Sequence, residues 1–212
     1  MSQNWELLLF PYQQAAKEWK VKLRGIRKEF QLQDEHSPIE FVTSRIKSVA
    51  SIQEKMKRRN ITPERLTEDM EDLCGLRIMC PFLDDVYEVV QLLRRRNDVE
   101  IVSERDYVNN EKESGYRSYH IVFRYPLQLV TGQREILVEI QIRTLAMNFW
   151  ATLEHSLNYK HPDVFPPDVH QRLQAASETA FKLDEEMSQI HHELAAADAD
   201  ADEATKDDKG EQ

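Results

Sequence analysis

The segment 135–144, EILVEIQIRT, alternates with a period of two, placing Ile136, Val138, Ile140 and Ile142 on one side of a strand and Leu137, Glu139, Gln141 and Arg143 on the other. A carboxylate between Val138 and Ile140 in so apolar a strand needs a partner or a task. Upstream, ESGYRSYH (113–120) gathers a glycine, two tyrosines, an arginine and a histidine at the mouth of another strand-like segment. Aromatic rings and guanidinium planes stack on nucleobases, which gives Tyr116 and Arg117 a possible ligand; ordinary packing at a hairpin end would use the same residues. His120, one step into that strand, reads by default as a hydrogen-bonded structural histidine.

Asp72 immediately precedes the apolar stretch LCGLRIMCPF (73–82). Asp72 and Glu139, delivered from sheet positions, would suit Mg2+, which takes one or two carboxylates with phosphate oxygens and water; Asp72 reads equally well as a cap. On a helical wheel for residues 38–59, Lys47, Ser51, Lys55 and Arg58 form one stripe opposite Val42, Ile46, Val49 and Met56. Charge runs usually mark a solvated face, but a hydroxyl set among ammonium and guanidinium groups is a phosphate-binding combination. Arg45 lies off this stripe. A second positive line, Lys20, Arg24 and Arg27, recurs at i, i+4, i+7.

These groups need a scaffold. Trp5 to about Phe30, with Leu7, Phe10, Ala15, Trp19 and Leu23 near helical spacing, predicts one or two helices. Ser37-Pro38 reads as an N-cap followed by proline at the first helical position of a helix reaching Arg59, and Thr62-Pro63 as the start of a short one to Met70. Strands are expected at 73–82, 99–108, 118–127 and 135–144. A helix capped by Asp84 follows the first strand, and VTGQ, with Gly132 free to take positive φ, is a hairpin turn joining the last two as antiparallel neighbours. LAMNFWATLEHSLNYK (145–160) predicts a helix with Met147, Phe149 and Trp150 in its core and Glu154-His155 at its margin. Pro162, Pro166 and Pro167 break it, and a last helix runs from about Asp168 to Ala195. The class is α/β (α+β): a mixed, partly antiparallel central sheet flanked by helices, with helical extensions at both ends.

The 212 residues fit one domain of ordinary size, taken as 1–195, followed by an acidic tail, 196–212, without aromatics and expected to be disordered. Of the formal net charge of −10, residues 184–212 contribute −9, so the body is near neutral. Its first sixty residues are nonetheless dense in lysine and arginine, which points to an anionic ligand. No apolar run approaches the roughly 20 residues of a membrane span, so a cytoplasmic location is expected. Cys74 and Cys80 lie in an apolar segment and read as buried free thiols.

Taken together, SPIEFVTSRIKSVASI, DLCGLRIMC, KESGYRSYH and EIQIRTLAMNFWATLEHSLNYK resemble the synthetase domain of the RelA/SpoT family, and more narrowly its small single-domain alarmone synthetases of the RelQ type. The resemblance runs from about Trp5 to Glu193. It implies a nucleotidyltransferase-like fold and transfer of the β,γ-pyrophosphate of ATP to the 3′-hydroxyl of GDP or GTP, giving AMP and the stringent-response alarmones ppGpp or pppGpp. The long family members add a hydrolase domain with a His-Asp motif, and no His-Asp dipeptide occurs here, so synthesis without degradation is implied. By matching motifs, Arg45 and Arg77 would sandwich adenine, and Lys47, Ser51, Lys55 and Arg58 would hold the ATP phosphates. Asp72 and Glu139 would bind Mg2+, with Glu139 also the general base. Tyr116 would stack on guanine, helped by Lys112, His120, Gln141 and Asn148. The resemblance further implies a homotetramer and product binding at a regulatory cleft through Lys20, Arg24, Arg27, Glu40, Phe41 and Thr43. Ser44 and Ser48 stand where the family pattern has a glycine and a proline, which could shift the helix start. The competing class is a nucleotide- or RNA-binding regulatory module without turnover, although a near-neutral body with an acidic tail disfavours nucleic acid.

Overall fold

The computed structural model describes residues 4–160 and 167–207. In chain order the elements are α1 (Trp5–Leu32), β1 (Phe41–Ile46), α2 (Val49–Arg59), a 3₁₀ turn (Pro63–Arg65), α3 (Leu66–Asp69), β2 (Cys74–Cys80), α4 (Leu83–Arg94), β3 (Glu100–Asp106), β4 (Tyr119–Leu129), β5 (Gly132–Thr144), α5 (Leu145–Lys160) and α6 (Pro167–Asp207). Five strands make one mixed sheet in the order β1-β2-β5-β4-β3, so Glu139 sits on the central strand. Only β2 and β5 run parallel; the other three pairings are antiparallel.

The period-two alternation sorts the two faces of this sheet. Ile136, Val138, Ile140 and Ile142 are fully buried beside Leu76 and Ile78 of β2 and Ile121 and Phe123 of β4. Helices α1 and α4 pack on the sheet, and Trp19 of α1 brings its ring within 4.4 Å of Phe123. Each such side chain contributes about 1.5–3 kcal/mol of burial, offset by ordering entropy. The register puts Thr43, Arg45, Arg77, Arg105, His120, Glu139, Gln141 and Arg143 together on the opposite face. The β4–β5 hairpin closes at Leu129 and Gly132, whose φ of +111° is open to glycine and strained for other residues.

Several expectations change. Residues 41–46 are a strand and not the opening of a helix: Val42, Thr43 and Ile46 are β-branched and find an antiparallel partner in β2. Ser37 caps no helix; its Oγ accepts the Ile39 N–H at 3.3 Å in a local turn. The helix starts at Val49, with Ser48 as its N-cap accepting the Ser51 N–H at 3.3 Å. Lys47 therefore precedes the helix. The first turn of α4 is closed by Asp85, whose carboxylate accepts the Phe82 N–H at 2.9 Å, while Asp84 pairs with His192.

Leu7, Phe10 and Phe149 are exposed, whereas Met147 and Trp150 are buried as expected. Helix α6 continues to Asp207, past Ala195, through a stretch whose alanines favour helix. The break expected at Pro162 and Pro166, and residues 208–212, lie outside the described residues. Cys74 and Cys80 are free and buried, and burial pushes the Cys74 thiol up to about 12. Among the described residues no helix is long and apolar enough to cross a membrane.

Candidate active site

Strand β5 presents Glu139, Gln141 and Arg143 in succession on the open face, and the neighbouring strands tie them together. His120 of β4 brings Nδ1 to 3.1 Å from Glu139 Oε1, and Gln141 Nε2 donates to Glu139 Oε2 at 3.0 Å. Burial pushes the Glu139 carboxyl upward, but the His120 and Gln141 hydrogen bonds outweigh it and hold the group below the usual glutamate range. Glu139 is an anion at neutral pH.

Beside it lies Asp72, in the turn before β2. Lys47 and Lys55 converge on it from the β1–α2 junction and from α2, with Nζ atoms 3.0 and 2.8 Å from its two oxygens. Burial opposes ionisation of Asp72, yet the two ammonium groups keep its carboxyl below the ordinary aspartate range. Ser51 faces the same end of α2, its Oγ accepting from Ser48 at 2.9 Å. Arg58 is exposed in the last turn. Arg45 pairs with Gly75 across β1 and β2, and Arg77 pairs with Thr43, so the two guanidinium-bearing residues are diagonal neighbours on one face. Gly75 between them leaves a floor without a side chain, and Thr43, Arg45, Gly75, Arg77, Asp72 and Glu139 line a single pocket.

The cleft continues over β4 and α5, with a volume of about 410 Å³ bounded by Tyr116, Lys112, His120, Arg143 and the α5 residues Ala151, Thr152, Glu154 and His155. The Tyr116 hydroxyl lies 2.8 Å from His120 Nε2 and accepts from Arg143 at 2.6 Å. Arg143 also donates to Gln141 at 2.8 Å and reaches Asn148 of α5 at 3.5 Å. Lys112 Nζ sits 4.9 Å from the centroid of the Tyr116 ring and 4.6 Å from that of Tyr107. Burial lowers the Lys112 pKa, and the positive charges of Arg105, Arg143 and Arg59 lower it further against the pull of Glu139. Burial likewise lowers Arg77, helped by Arg143 and Arg45. So crowded a set of cations suits a polyanion.

Arg45, Lys47, Asp72, Arg77, Lys112, Tyr116, His120 and Gln141 thus line the cleft with Glu139, Lys55 joins them through Asp72 and Asn148 through Arg143, whereas Ser51 and Arg58 lie outside its lining. Sequence reasoning gave no site role to Tyr107, Arg105, Arg143, Glu154 or His155, although it set Arg143 on the polar face of β5 and Glu154-His155 at the margin of α5. Arg143 could have been found from the period of β5, and the α5 set from its i, i+3, i+4 spacing; Tyr107 follows the end of β3 and carries no periodic signal. Of the expected regulatory residues, Arg27 and Glu40 form an ion pair at 3.5 Å. Thr43 belongs to the cleft beside Arg45, Phe41 to the same face of the edge strand, and Arg24 is exposed on α1 with Lys20 half-buried.

Asp72 and Glu139 face one pocket, and the charge of Asp72 raises the proton affinity of Glu139. Two hard oxygen donors facing one pocket fit a hard divalent cation once the lysines release Asp72, and among the described residues no cluster of three or more His, Cys, Asp or Glu offers a complete protein shell. Phosphate and water would complete it.

The pattern described as a region found in RelA / SpoT proteins matches residues 44–163. The GTP pyrophosphokinase YjbM of Bacillus subtilis (strain 168) is 58% identical over 196 residues, 92% of each chain. The small alarmone synthetase 1 of Bacillus subtilis bound to its product pppGpp superposes with a TM-score of 0.86 at 57% identity, covering 90% of this chain and 97% of that one. The same enzyme bound to AMPCPP gives a TM-score of 0.80 at 53% identity over 91% of this chain and 98% of that one. A pattern spanning more than half of the sequence, joined to such identity along nearly its full length, means that the chain belongs to the RelA/SpoT family.

Proposed function

We propose that the protein is a GTP/GDP pyrophosphokinase, which moves the β,γ-pyrophosphate of ATP to the 3′-hydroxyl of GDP or GTP and releases AMP. The observation that carries this reading is the ionised Glu139 carboxylate, set on the central strand between the lysine-held Asp72 and the Tyr116 loop. The similarity to a GTP pyrophosphokinase and to a synthetase bound to pppGpp supports it.

Adenine lies between Arg45 and Arg77 over the bare floor at Gly75, and the triphosphate runs toward Lys47, Ser51, Lys55 and Arg58. The lysines that now hold Asp72 exchange a carboxylate for phosphate oxygens. Guanine stacks on Tyr116, with Lys112, His120, Gln141 and Asn148 around the acceptor. Bringing two polyphosphates together is costly, since one pair of unit charges about 6 Å apart at an effective dielectric of 20 repels by roughly 3 kcal/mol. The cations answer that repulsion. Asp72 and Glu139 would hold Mg2+, whose chemistry is to neutralise charge on the transferring phosphoryl oxygens. Glu139 takes the 3′-hydroxyl proton as the O3′–Pβ bond forms and the bond from Pβ to the α,β-bridging oxygen breaks, that oxygen leaving on AMP. AMP departs as a stable anion and needs no strong general acid.

An effector role for Lys20, Arg24, Arg27, Glu40, Phe41 and Thr43, and a homotetramer, belong to the same proposal. The Arg27–Glu40 pair linking α1 to the edge strand supports the first. The exposed row Leu183, Met187, Ile190 and Leu194 on α6, which a second copy would cover, supports the second. ATP and GTP as substrates suit a cytoplasmic location. The test is direct: purified protein with ATP, Mg2+ and GDP or GTP should yield AMP and a 3′-pyrophosphorylated nucleotide in equal amounts. Nucleotide binding without AMP would instead favour the regulatory module.

A further inference from the structure

Helix α6 turns polar residues inward. Ser177, Asp184 and Ser188 are buried while Leu183, Met187, Ile190 and Leu194 are exposed. A helix docked in this manner is held by directional bonds more than by apolar area, so what each bond holds is informative. Leu173 accepts the Trp150 indole N–H of α5 at 2.8 Å. Ser177 donates its hydroxyl to the Gly115 carbonyl. Phe181 lies under Arg117, with the guanidinium 4.0 Å from its ring centroid. Asp184 accepts from Thr144 at 2.5 Å, and Ser188 accepts the Leu83 N–H at 2.9 Å. Positions 173, 177, 181, 184 and 188 recur at steps of four, four, three and four, one face of a helix.

Four of the five anchors share a property, the exception being Ser188, which holds Leu83 at the start of α4. Gly115 and Arg117 are the two chain neighbours of Tyr116, Thr144 follows Arg143, and Trp150 shares a helix with Asn148. None of these anchors lies on β1 or α2, which carry Arg45, Ser51, Lys55 and Arg58. Gly115 is pressed against the helix: a Cβ built there would come within 2.9 Å of Ser177 Cβ, and its φ is +88°. The turn it belongs to is closed by backbone bonds from Gly115 N–H to Lys112 at 2.7 Å and from Lys112 N–H to Tyr116 at 3.1 Å, and Arg117 ties it to the Val108 carbonyl and to Glu111.

We infer that α6 is a splint for the acceptor side of the cleft, with Ser177 a positioning residue that fixes the Tyr116 ring through the Gly115 carbonyl while leaving the ATP side untouched. This rests on Tyr116 being the guanine platform. Without the Ser177 hydroxyl the loop samples more conformations, and the stacked state must be selected at each encounter, which weakens the guanine nucleotide and spares ATP.

The experiment compares Ser177→Ala with the unaltered protein in three readouts: KM for GTP, KM for ATP, and backbone hydrogen exchange of residues 112–118 without nucleotide. The expected result is a KM for GTP raised about three- to tenfold, a KM for ATP within about twofold, and faster exchange in the loop alone. Unchanged GTP KM and unchanged exchange would overturn the splint, and so would equal rises in both KM values, which would mean general loosening. Phe181→Ala serves as the second variant and should show the same asymmetry. Tyr116→Ala separates the two ideas. If it impairs GTP use while Ser177→Ala does not, the splint fails and the guanine platform stands. If Tyr116→Ala leaves the GTP KM unchanged, the platform itself fails, whatever Ser177→Ala does to loop exchange.

Discussion

His120 lies between the two ends of the reaction centre: its Nδ1 is 3.1 Å from Glu139 Oε1. Its other nitrogen is 2.8 Å from the Tyr116 hydroxyl, so the ring bridges the Glu139 carboxylate to the Tyr116 loop. The geometry links the orientation of the Glu139 carboxylate to the position of the Tyr116 loop, the guanine platform of the proposed reaction.

Glu139→Val should reduce product formation at least about a thousandfold while ATP still binds, because a general base of this kind contributes on the order of 10²–10⁴ and its metal contact is lost as well. The measurement is AMP release alongside binding of a non-hydrolysable ATP analogue. Undiminished synthesis in this variant would sink the assignment. Because the His120 and Gln141 bonds hold Glu139 below its usual range, the acid limb of kcat/KM that it controls should lie below that range too.

Tyr116→Ala should raise the KM for GTP or GDP by about tenfold or more, in line with about 1–3 kcal/mol for base–aromatic stacking, and change that for ATP little. Initial rates with each nucleotide varied in turn give both constants. Equal losses for the two substrates would argue against stacking.

Arg24→Ala should leave the rate without added product unchanged and abolish stimulation by added pppGpp. Arg24 is exposed on α1, away from the residues lining the cleft, so loss of the unstimulated rate would contradict an effector role.

Asp184→Asn should stabilise the protein at pH 8 and leave it nearly unchanged at pH 3, below the ordinary aspartate range. Burial pushes the Asp184 carboxyl up to about 6 despite its bond from Thr144. The folded state therefore holds this proton more tightly than the unfolded chain, and stability falls as pH rises from the ordinary aspartate range through about 6. At pH 8 the cost of the ionised form is on the order of 2–3 kcal/mol, which an amide avoids while still accepting from Thr144. Thermal unfolding of both proteins at the two pH values checks the sign.

The sequence disclosed β5, its two faces and the Gly132 hairpin because period-two alternation and turn chemistry are local signals. It misassigned β1 because Ser37-Pro38 imitates a helix start and Val42, Ile46 and Val49 also satisfy a helical period; pairing with β2, thirty-odd residues away, decides the matter and leaves no local trace. Lys47 reaches Asp72 all the same, from the strand end instead of a helical stripe. The serine at 48, expected to disturb the helix start, supplies its cap. Tyr107 and the α6 anchors were illegible for a simpler reason: their roles arise from contacts between segments distant in the chain.

The grip of Lys47 and Lys55 on Asp72 has an implication for the order in which the cleft fills. Both oxygens of that acid are held by ammonium groups, so a solitary divalent ion would have to compete with two positive charges for them. A visitor arriving with several negative charges of its own can draw both ammonium groups away and lay the carboxylate bare in the same movement. On the proposed reading, donor nucleotide and ion would therefore enter jointly.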